Sequence, residues 1–523
     1  MPKSMPKSMP KSMPKSMPKS MHKSMPRRQL KPWCNAGSSK VCLLAIATIV
    51  LGGCISSAGI APQSTLNDAA TLSAERTLSG TPLSPAAWPK KDWWRAFGDT
   101  QLDGLITEAL AGSPTLSIAR ARADAAAAAA VIAGARLGIT NEIDTTVTRQ
   151  RNSARGASSP NLAGRSFNTY HLSADFSIDP DFWDRNREAL NASLGRLKAS
   201  ETDMIAARLA LSVAIARTYV KLGHDFDQLA IDKSAIAQRE SVLLLARERL
   251  AGGLDSLIDV KRSEAEIPLA RAQIMQREEA IALGRNQLAA LLGKGPDRGS
   301  DIQPPRLLQM ADTALPSSLP ADLVGRRPDV VASRWRIEAS RHDIESAKAA
   351  FLPNVNLAAY VGVQSIGFAN LLRSGSQIFG LGPAVHLPIF GGTTLRGTLA
   401  ARDADYDLAV EQYNQILVDA LREVVDQVTS LRSIDAQRIE IERGFAAADD
   451  SHQLILKRYQ SGLANRLVLL SSEMQLTARK ARLAELRARH LDASISLIRA
   501  LGGGFEAPEI AQATRATEDG KNP

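Results

Sequence analysis

Four stretches of the chain alternate between apolar and polar residues with a period of two. The clearest is residues 170–179, where Tyr, Leu, Ala, Phe and Ile alternate with His, Ser and Asp. The pattern recurs at residues 355–363 and 379–389, and more weakly at residues 143–150. Such alternation predicts half-buried β-strands with one apolar and one polar face. These strands suit either an ordinary soluble sheet or a membrane barrel with lipid outside and water inside.

Two other stretches predict unusually long helices, because neither contains a proline. They cover residues 184–250 and 393–460. At a rise of 1.5 Å per residue, the first would extend roughly 100 Å as one helix. Large apolar residues recur along it at intervals of three and four, with alanine at many positions between, which predicts a coiled-coil-like seam of closely spaced helices. The seam residues are Leu190, Leu194, Leu197, Met204, Leu211, Ile215 and Leu222.

Each long stretch ends in a corner, and the two corners share one pattern of residues. Within residues 247–264 and 457–473, a shift of 209 residues with no gap places Gly253 on Gly462, Leu254 on Leu463 and Glu264 on Glu473. In each corner a glycine supplies the left-handed geometry that ends one helix, and a short polar residue can begin the next. Each corner is therefore the predicted tip of a helical hairpin. The tip residues are Gly253, Leu254 and the cap Ser256 in the first copy, and Gly462, Leu463 and the cap Asn465 in the second.

The second half of the chain repeats the order of motifs in the first half. Ser113-Pro-Thr corresponds to Arg327-Pro-Asp at a shift of 214 residues. The segment that begins at Asp181 corresponds to the segment that begins at Pro388 at a shift of about 207 residues. Motifs that recur in a fixed order indicate internal duplication.

The N-terminus has the features of an export signal. The first 24 residues repeat Met-Pro-Lys-Ser, with one variant at His22, and such a stretch is expected to be disordered. A basic region, an apolar run at residues 41–51 and two glycines then lead to Cys54. That order is typical of a secretory signal, and the apolar run is too short for a transmembrane helix. Translation from Met25 would still leave a signal of ordinary length.

The end of this signal, Leu51-Gly52-Gly53-Cys54, resembles the lipobox of bacterial lipoproteins, in which the cysteine is acylated and becomes the first residue. Ile55 follows it, whereas aspartate at that position favours retention at the inner membrane in such lipoproteins. The resemblance therefore implies a lipid anchor at Cys54 in the outer membrane. A plain signal peptide with an unrelated cysteine is the alternative.

Removal of the signal changes what the composition implies. The whole chain has 64 Lys or Arg and 54 Asp or Glu, a formal charge of +10. Residues 1–53 hold ten of the basic residues and no acidic one, so the mature chain is balanced and no nucleic-acid partner is expected. Cys34 and Cys42 leave with the signal and Cys54 takes the lipid, so no disulfide is available.

An outer membrane location favours the barrel interpretation of the strands. In lipid every backbone polar group must be paired within the protein, so a membrane sheet has to close on itself. Single-chain barrels begin at eight strands, and four are too few. Other copies of the chain are then required. Two protomers would give eight strands and three would give twelve, and the residues alone do not choose between them.

Several motifs resemble one family of bacterial membrane proteins. Residues 88–116, which hold three of the six tryptophans, resemble the start of the conserved region of the outer membrane factors of tripartite efflux pumps. This is the TolC-like family, and the likeness is to its NodT-type lipoprotein branch. Residues 325–331, Gly-Arg-Arg-Pro-Asp-Val-Val, and residues 349–357 resemble a signature of that family. The resemblance covers residues 88–501.

The resemblance implies both a fold and a set of partners. Members of this family are trimers in which long coiled helical hairpins form an α-barrel, and four strands per protomer contribute to a shared 12-stranded transmembrane β-barrel. The expected fold class is mixed, mainly α, with an internal two-fold repeat. The implied partners are a homotrimer of this chain, a periplasmic adaptor (membrane fusion) protein, an inner membrane pump of the resistance-nodulation-division type and outer membrane lipid.

These features divide the chain into five expected parts. Residues 1–53 are the signal sequence with its basic low-complexity N-terminus, and residues 54–87 are a lipidated tether. Structural repeat 1 covers residues 88–305, and structural repeat 2 covers residues 306–501. Residues 502–523 form a C-terminal tail.

The chain carries no catalytic motif. It contains no His-Glu-x-x-His pair, phosphate loop or Gly-x-Ser-x-Gly elbow, so no enzyme activity, cofactor or metal is expected. The expected function is the outer membrane channel of a tripartite efflux system, which gives exported substrates passive passage from periplasm to exterior. A lipid-anchored periplasmic coiled-coil scaffold and a type I secretion duct are the alternatives. The sequence does not determine the substrate class, and drugs, metals and solvents are all candidates.

The hairpin tips supply the candidate site residues. A leucine at a tip cannot be covered by its own two helices, so Gly253, Leu254, Gly462 and Leu463 are the expected docking surface for the adaptor. The resemblance further implies that the tips hold the periplasmic end of the tube shut.

The closed end of the tube is expected to be an apolar constriction. Asp259 matches an acidic tip position of the family and Tyr459 a tip tyrosine, but Val468 and Ser471 stand where other acidic residues line the gate. The candidate gate residues are Asp259, Tyr459, Val468, Leu469 and Leu470. Ordinary packing within the helical seam is the alternative role of the last three.

Overall fold

The computed structural model describes residues 56–72, 74–78, 88–156, 159–306, 324–388 and 391–507. The expected signal sequence, Cys54 and the end of the C-terminal tail lie outside the described residues. Within the described ranges the chain is mainly helical and holds one four-stranded antiparallel sheet. The predicted mainly α fold with four strands and an internal repeat is confirmed.

Helices and strands follow one order in both halves of the chain. The first half contains α1 (Thr100–Gly112), α2 (Pro114–Ala135), β1 (Thr140–Arg151), β2 (Ser166–Ile178), α3 (Arg185–Ala251) and α4 (Leu257–Leu291). The second half contains α5 (Pro328–Ala349), β3 (Asn354–Ile366), β4 (Gln377–His386), α6 (Gly392–Gln460) and α7 (Arg466–Ala500). Short helical turns lie at Ala69–Thr71, Glu75–Leu78, Trp93–Phe97, Asp297–Ser300 and Phe368–Asn370.

The lengths of the matching helices show how closely the two halves correspond. Helices α2 and α5 both have 22 residues, and α4 and α7 both have 35. The long helices α3 and α6 have 67 and 69 residues. Two repeats of one design therefore place two long hairpins, α3–α4 and α6–α7, on a shared sheet. None of the helices in the described ranges is both long and apolar enough to cross a membrane.

The sheet has the order β1-β2-β3-β4, with each strand antiparallel to the next. All four predicted strands are present, including the weakly patterned β1, which is 12 residues long. The predicted strand at residues 379–389 extended too far, because β4 ends at His386. Pro388 lies just beyond that end, and proline lacks the N–H that a continued ladder would need.

Helices α3 and α5 approach each other through small residues. Ala192, Gly195, Ala199 and Thr202 are buried along this part of α3, whereas Leu194 is 40% exposed. The predicted leucine seam is therefore wrong at Leu194. It is correct further along α3, where Leu211, Ile215 and Leu222 are buried in the main core. Small side chains fill the contact in the first part of α3 because they allow the axes of α3 and α5 to lie closer together.

Replacing Gly195 by valine is expected to destabilise this helix crossing. A Cβ atom at Gly195 would lie 3.0 Å from Ala339 Cβ and 3.2 Å from its Cα, so a branched side chain forces the helices apart. Overpacking of this kind costs about 1–3 kcal/mol. Thermal unfolding of the detergent-solubilised protein, followed by circular dichroism, measures the loss. Gly104→Ala, in α1 where a Cβ meets nothing within 4 Å, is the control and is expected to be neutral or stabilising.

The main core joins both repeats near the middle of the long helices. It begins with Trp93, Trp94 and Phe97, which pack edge to face just before α1. Side chains from α1, α3, α4 and α7 complete it. The hydroxyl of the fully buried Tyr219 donates a hydrogen bond to Asp99 Oδ2 at 2.8 Å, and the other carboxylate oxygen of Asp99 caps α1. This hydrogen bond connects the middle of α3 to the start of α1.

Candidate functional site

The first hairpin tip turns through one glycine in the left-handed conformation. Gly253 has φ 68°, a value that side chains rarely adopt. Its N–H donates to the carbonyl of Leu250 at 3.0 Å, and the N–H of Leu254 donates to the carbonyl of Arg249 at 2.8 Å. This pair of bonds is the Schellman motif, which satisfies the last carbonyls of a helix. The predicted left-handed geometry of Gly253, which ends α3, is confirmed.

The second tip repeats the first bond for bond. Gly462 has φ 72°. Its N–H donates to the carbonyl of Tyr459 at 3.0 Å, and the N–H of Leu463 donates to the carbonyl of Arg458 at 2.8 Å. The ungapped sequence match between the two corners is therefore a match of backbone conformation.

Each tip presents an uncovered leucine. Leu254 and Leu463 are both 70% exposed. Leu257 and Ile258, in the first turn of α4, add further apolar surface at 60% and 72% exposure. In the second copy Leu467 and Val468 occupy the corresponding turn and are less exposed, at 43% and 45%. Each tip thus carries an apolar patch that its own hairpin leaves open.

The two tips begin their second helix with different caps. Ser256 and Asp259 form a capping box, in which the Asp259 carboxylate accepts bonds from the N–H and the hydroxyl of Ser256 at 3.2 and 2.7 Å. These hydrogen bonds hold the pKa of Asp259 below its usual value. Asn465 instead accepts a bond from the N–H of Val468 at 3.0 Å. A candidate gate residue, Asp259, therefore also serves the turn itself.

The candidate gate residues divide by their exposure. Leu469 and Leu470 are 8% and 6% exposed, so within the protomer they are packed, as the alternative interpretation of them expects. Tyr459 and Val468 are 38% and 45% exposed. Of the apolar candidates, Val468 is the one whose side chain the protomer leaves open.

The sheet has one apolar face that continues across all four strands. The register places Ile143 opposite Ala174, Ala174 opposite Val361 and Val361 opposite Phe379. From Tyr170 to Ile178 the apolar positions of β2 span about 26 Å at 3.3 Å per residue. The lipid-facing band of a transmembrane barrel is about 25 Å tall. The height of this face therefore matches the thickness of a membrane.

Aromatic side chains lie at both ends of the apolar face. Tyr170 and Phe368 pack edge to face near the loops, with ring centroids 5.5 Å apart. Phe182 and Trp183, 65% and 48% exposed, lie where β2 passes into α3. Trp183 Nε1 donates to the carbonyl of Pro353 at 2.8 Å. Two such girdles are typical of barrels that span a membrane.

The opposite face of the sheet is polar. Glu142 lies opposite Asp175 in the register, and Asp144 lies opposite Ser173. The hydroxyl of Ser173 donates to Asp175 Oδ2 at 2.6 Å and lies 3.1 Å from a ring nitrogen of His171. Charged and hydrogen-bonding side chains of this kind need water, so the two faces of one sheet require two different solvents.

Both edges of the sheet are open within the protomer. In the described part of the chain β1 pairs only with β2, and β4 pairs only with β3. An open edge carries a row of unpaired N–H and C=O groups that another strand can join. The edges and the apolar face together define an incomplete barrel wall.

The described residues of the N-terminal segment, 56–72 and 74–78, are hydrogen-bonded to side chains of α6. Arg396, one turn into α6, donates to the carbonyl of Ser56 at 2.6 Å. Further along α6, Asp407 accepts bonds from the N–H groups of Gln63 and Ser64 at 2.9 and 2.8 Å. The segment reaches Leu78, whose carbonyl accepts a bond from Arg432 at 2.9 Å. Its first described residue therefore lies at the end of α6 that adjoins the sheet.

Sequence reasoning missed the role of one buried arginine. Arg327, 6% exposed, makes a two-pronged ion pair with Asp329 at 3.0 and 2.6 Å. It also donates to Glu423 Oε2 at 3.0 Å and to the carbonyl of Ala500 at 3.1 Å. Three elements of the second repeat thus meet at one guanidinium. The Arg-Pro-Asp motif could have indicated this position, because its proline is the first residue of α5 and Arg327 directly precedes that helix.

Comparisons with known proteins agree with this architecture. The family model for outer membrane efflux proteins matches residues 105–294 and 319–503, one segment in each repeat. The fusaric acid resistance protein FusA of Burkholderia cepacia is 37% identical over 380 residues, 70% of each chain. The multidrug resistance outer membrane protein MdtP of Escherichia coli K12 is 29% identical over 444 residues, 82% of this chain and 90% of MdtP.

Solved structures of outer membrane proteins share the fold. VceC of Vibrio cholerae is 36% identical, with a TM-score of 0.74 that covers 80% of this chain and all of VceC. The CmeC channel of Campylobacter jejuni is 19% identical with a TM-score of 0.77 over 88% of this chain and 98% of CmeC, which shows the fold alone. The chain belongs to the outer membrane efflux protein family.

Proposed function

We propose that three copies of this chain form a passive duct through the outer membrane for a tripartite efflux system. The observation that carries the proposal is the sheet, which is apolar on one face, polar on the other and open at both edges. Three such sheets joined edge to edge give a twelve-stranded barrel with lipid outside and water inside. The periplasmic scaffold alternative is disfavoured, because it leaves the apolar face in water.

The lipid anchor is proposed at Cys54. The contacts of Ser56 and Ala58 with Arg396 support it, since they bring the N-terminal segment to the sheet end of α6. An acyl chain on Cys54, two residues before Ser56 in the sequence, is proposed to anchor the protein in the membrane. Residues 1–53 are proposed to be removed as the signal, and residues 88–305 and 306–501 to be the two structural repeats.

The proposed partner at the tips is a periplasmic adaptor that presents a helical hairpin of its own. The uncovered Leu254 and Leu463 support this proposal. Each trimer has six tips, and because the two tips of a chain share one backbone geometry, they offer six similar grooves. The adaptor would connect the duct to an inner membrane pump of the resistance-nodulation-division type. The gate is proposed to close at Val468, and Asp259 and Tyr459 are proposed as further gate residues.

The proposed cargo is small toxic organic compounds. The names of two relatives support this class, since they refer to fusaric acid resistance and multidrug resistance. The chain itself is proposed to carry out no chemistry.

Deletion of the gene is expected to lower the resistance of the parent bacterium to such compounds, and a plasmid copy should restore it. Unchanged accumulation of all compounds in the deletion strain would contradict the proposed function.

Cys54→Ser is expected to abolish labelling of the protein by radioactive palmitate. The physical reason is that serine has no thiol to be acylated, so precursor or unlipidated protein should accumulate. Labelled palmitate in cells followed by immunoprecipitation measures this. Cys42→Ser, which changes a cysteine within the signal, is the control and should be labelled like the parent. Equal labelling of the Cys54→Ser variant would remove the lipid anchor from the proposal.

A further inference from the structure

Five arginines cluster at the loop end of the sheet, away from the helices. The β1–β2 hairpin supplies four and the β3–β4 loop supplies one. The five are Arg149, Arg151, Arg155, Arg165 and Arg373. Residues 145–174 and 346–402, which include these loops, contain no Asp or Glu.

These arginines have no anionic partner within the protomer. None of their guanidinium groups forms a hydrogen bond or ion pair with another described residue. Elsewhere the chain pairs its arginines readily, as in Arg217 with Asp492 at 2.7 Å and Arg298 with Glu108 at 2.9 Å. The loop end of the sheet is therefore an uncompensated positive surface.

The register places Arg149 and Arg151 on one face of the sheet and Arg165 on the other. Arg149 and Arg151 lie opposite Asn168 and Ser166, on the same face as Val147 and the rest of the apolar band. The N–H of Asn152 donates to the carbonyl of Arg165 at 3.1 Å, which continues the ladder by one pair. That pair falls on the polar face. Arg149 and Arg151 thus stand directly beyond the outward apolar face, while Arg165 stands at a similar height on the inward face.

A neighbouring copy of the chain cannot neutralise the outward pair. In the proposed barrel, β1 meets β4 of the next protomer, and neither β4 nor the loop before it contains a carboxylate. The nearest acidic residue on the same strand as Arg149 is Asp144, about 17 Å away along the strand and on the other face. The missing counter-charge must come from outside the protein.

We propose that Arg149 and Arg151 bind the phosphate groups of lipid headgroups in the outer leaflet. This rests on the proposed function, because it requires the sheet to be part of a transmembrane barrel. An apolar band that ends in two guanidinium groups matches a boundary between acyl chains and phosphates. Guanidinium groups bind phosphate through two parallel hydrogen bonds and keep their charge at any relevant pH. A trimer would carry six such groups around its rim.

The test measures binding of fluorescent lipid A with both phosphates to the full, lipidated protein in detergent micelles. Lipid A from which the phosphates have been removed is expected to bind more weakly, and salt should weaken binding of the phosphorylated form. The double variant Arg149→Gln/Arg151→Gln should bind phosphorylated lipid A roughly 30-fold more weakly, about fivefold for each lost charge. Arg165→Gln, at a similar height on the inward face, is the matched control and should bind like the parent.

Equal binding of both forms of lipid A to the parent protein would overturn the inference. So would unchanged binding by the double variant, or a loss confined to Arg165→Gln, which would assign the charge to the mouth of the channel. Trimer formation and efflux are measured on the same variants and are expected to persist. If trimers and efflux are intact but phosphate has no effect, the lipid inference alone fails. If the parent forms no trimer, the proposed function fails first.

Discussion

A variant that carries Leu254→Asp and Leu463→Asp together is expected to reach the outer membrane as a trimer but to support no efflux. Both leucines are 70% exposed in the protomer, so a charged group there costs the fold little. In the docked complex each leucine would be buried against the adaptor, and loss of a central apolar anchor costs about 2 kcal/mol or more. Two lost anchors per chain should leave no measurable docking.

Cross-linking to the adaptor and drug accumulation in cells measure this effect together. Leu372→Asp is the control, since Leu372 is 87% exposed in the β3–β4 loop at the opposite end of the protomer. It should leave cross-linking and efflux unchanged. Full efflux with unchanged cross-linking in the double variant would exclude the tips as the docking surface. Loss of the trimer would instead indicate that the leucines stabilise the assembly.

Arg327→Met is expected to give the largest loss of stability, about 2–3 kcal/mol in the free energy of unfolding. The guanidinium is buried, and its removal leaves Asp329 and the carbonyl of Ala500 without their partner. Hydrogen bonds to charged groups contribute about 1.5–3 kcal/mol, and the 42% exposed side chain of Asp329 is partly solvated once its partner is gone, which limits the loss. Arg327→Lys should recover part of the loss, since lysine keeps the charge but not the two-pronged geometry.

The ion pair also predicts how the loss depends on pH. Burial alone would raise the pKa of Asp329, but the hydrogen bonds and charge of Arg327 outweigh it and hold the pKa below its usual value of 3.8. The carboxylate therefore contributes stability above that value, and the contribution is lost as the pH falls through the lower folded pKa. The difference between parent and Arg327→Met should be largest near neutral pH and shrink as the pH falls, because Asp329 of the variant, left with burial alone, takes up its proton at a higher pH than Asp329 of the parent.

Thermal unfolding of the detergent-solubilised trimer at several pH values measures both effects. Arg443→Ala is the matched control, because Arg443 forms an exposed pair with Glu440 and both side chains are about 70% exposed. Exposed pairs contribute under about 1 kcal/mol. A loss for Arg327→Met no larger than that of the control would show that the buried network is not a main support of the second repeat.

Local patterns in the sequence were enough to predict the strands and tips. The alternation in residues 170–179 fixes which side chains share a face of β2, and the register then extends that face across the sheet. Gly253 and Gly462 likewise act through their own φ angles. The outward position of Arg149 and Arg151 follows from the same period of two, once the strand is known to extend to Arg151.

Features that depend on distant contacts could not be predicted in this way. The seam of α3 uses Gly195 because α5 crosses there, and nothing near Gly195 in the sequence indicates which helix that is. Residues 56–78 have the composition of a linker, yet their backbone is held by Asp407 and other side chains of α6. The burial of Leu469 and Leu470 likewise depends on how the α6–α7 hairpin packs.

Native mass spectrometry of the protein extracted from the outer membrane in detergent tests the shared barrel most directly. Four strands with two open edges cannot close alone, so the number of copies in the particle decides how the sheet is completed. We expect a particle of three lipidated chains, which gives twelve strands. A stable monomer in the outer membrane fraction, or a dimer with eight strands, would contradict the proposed duct.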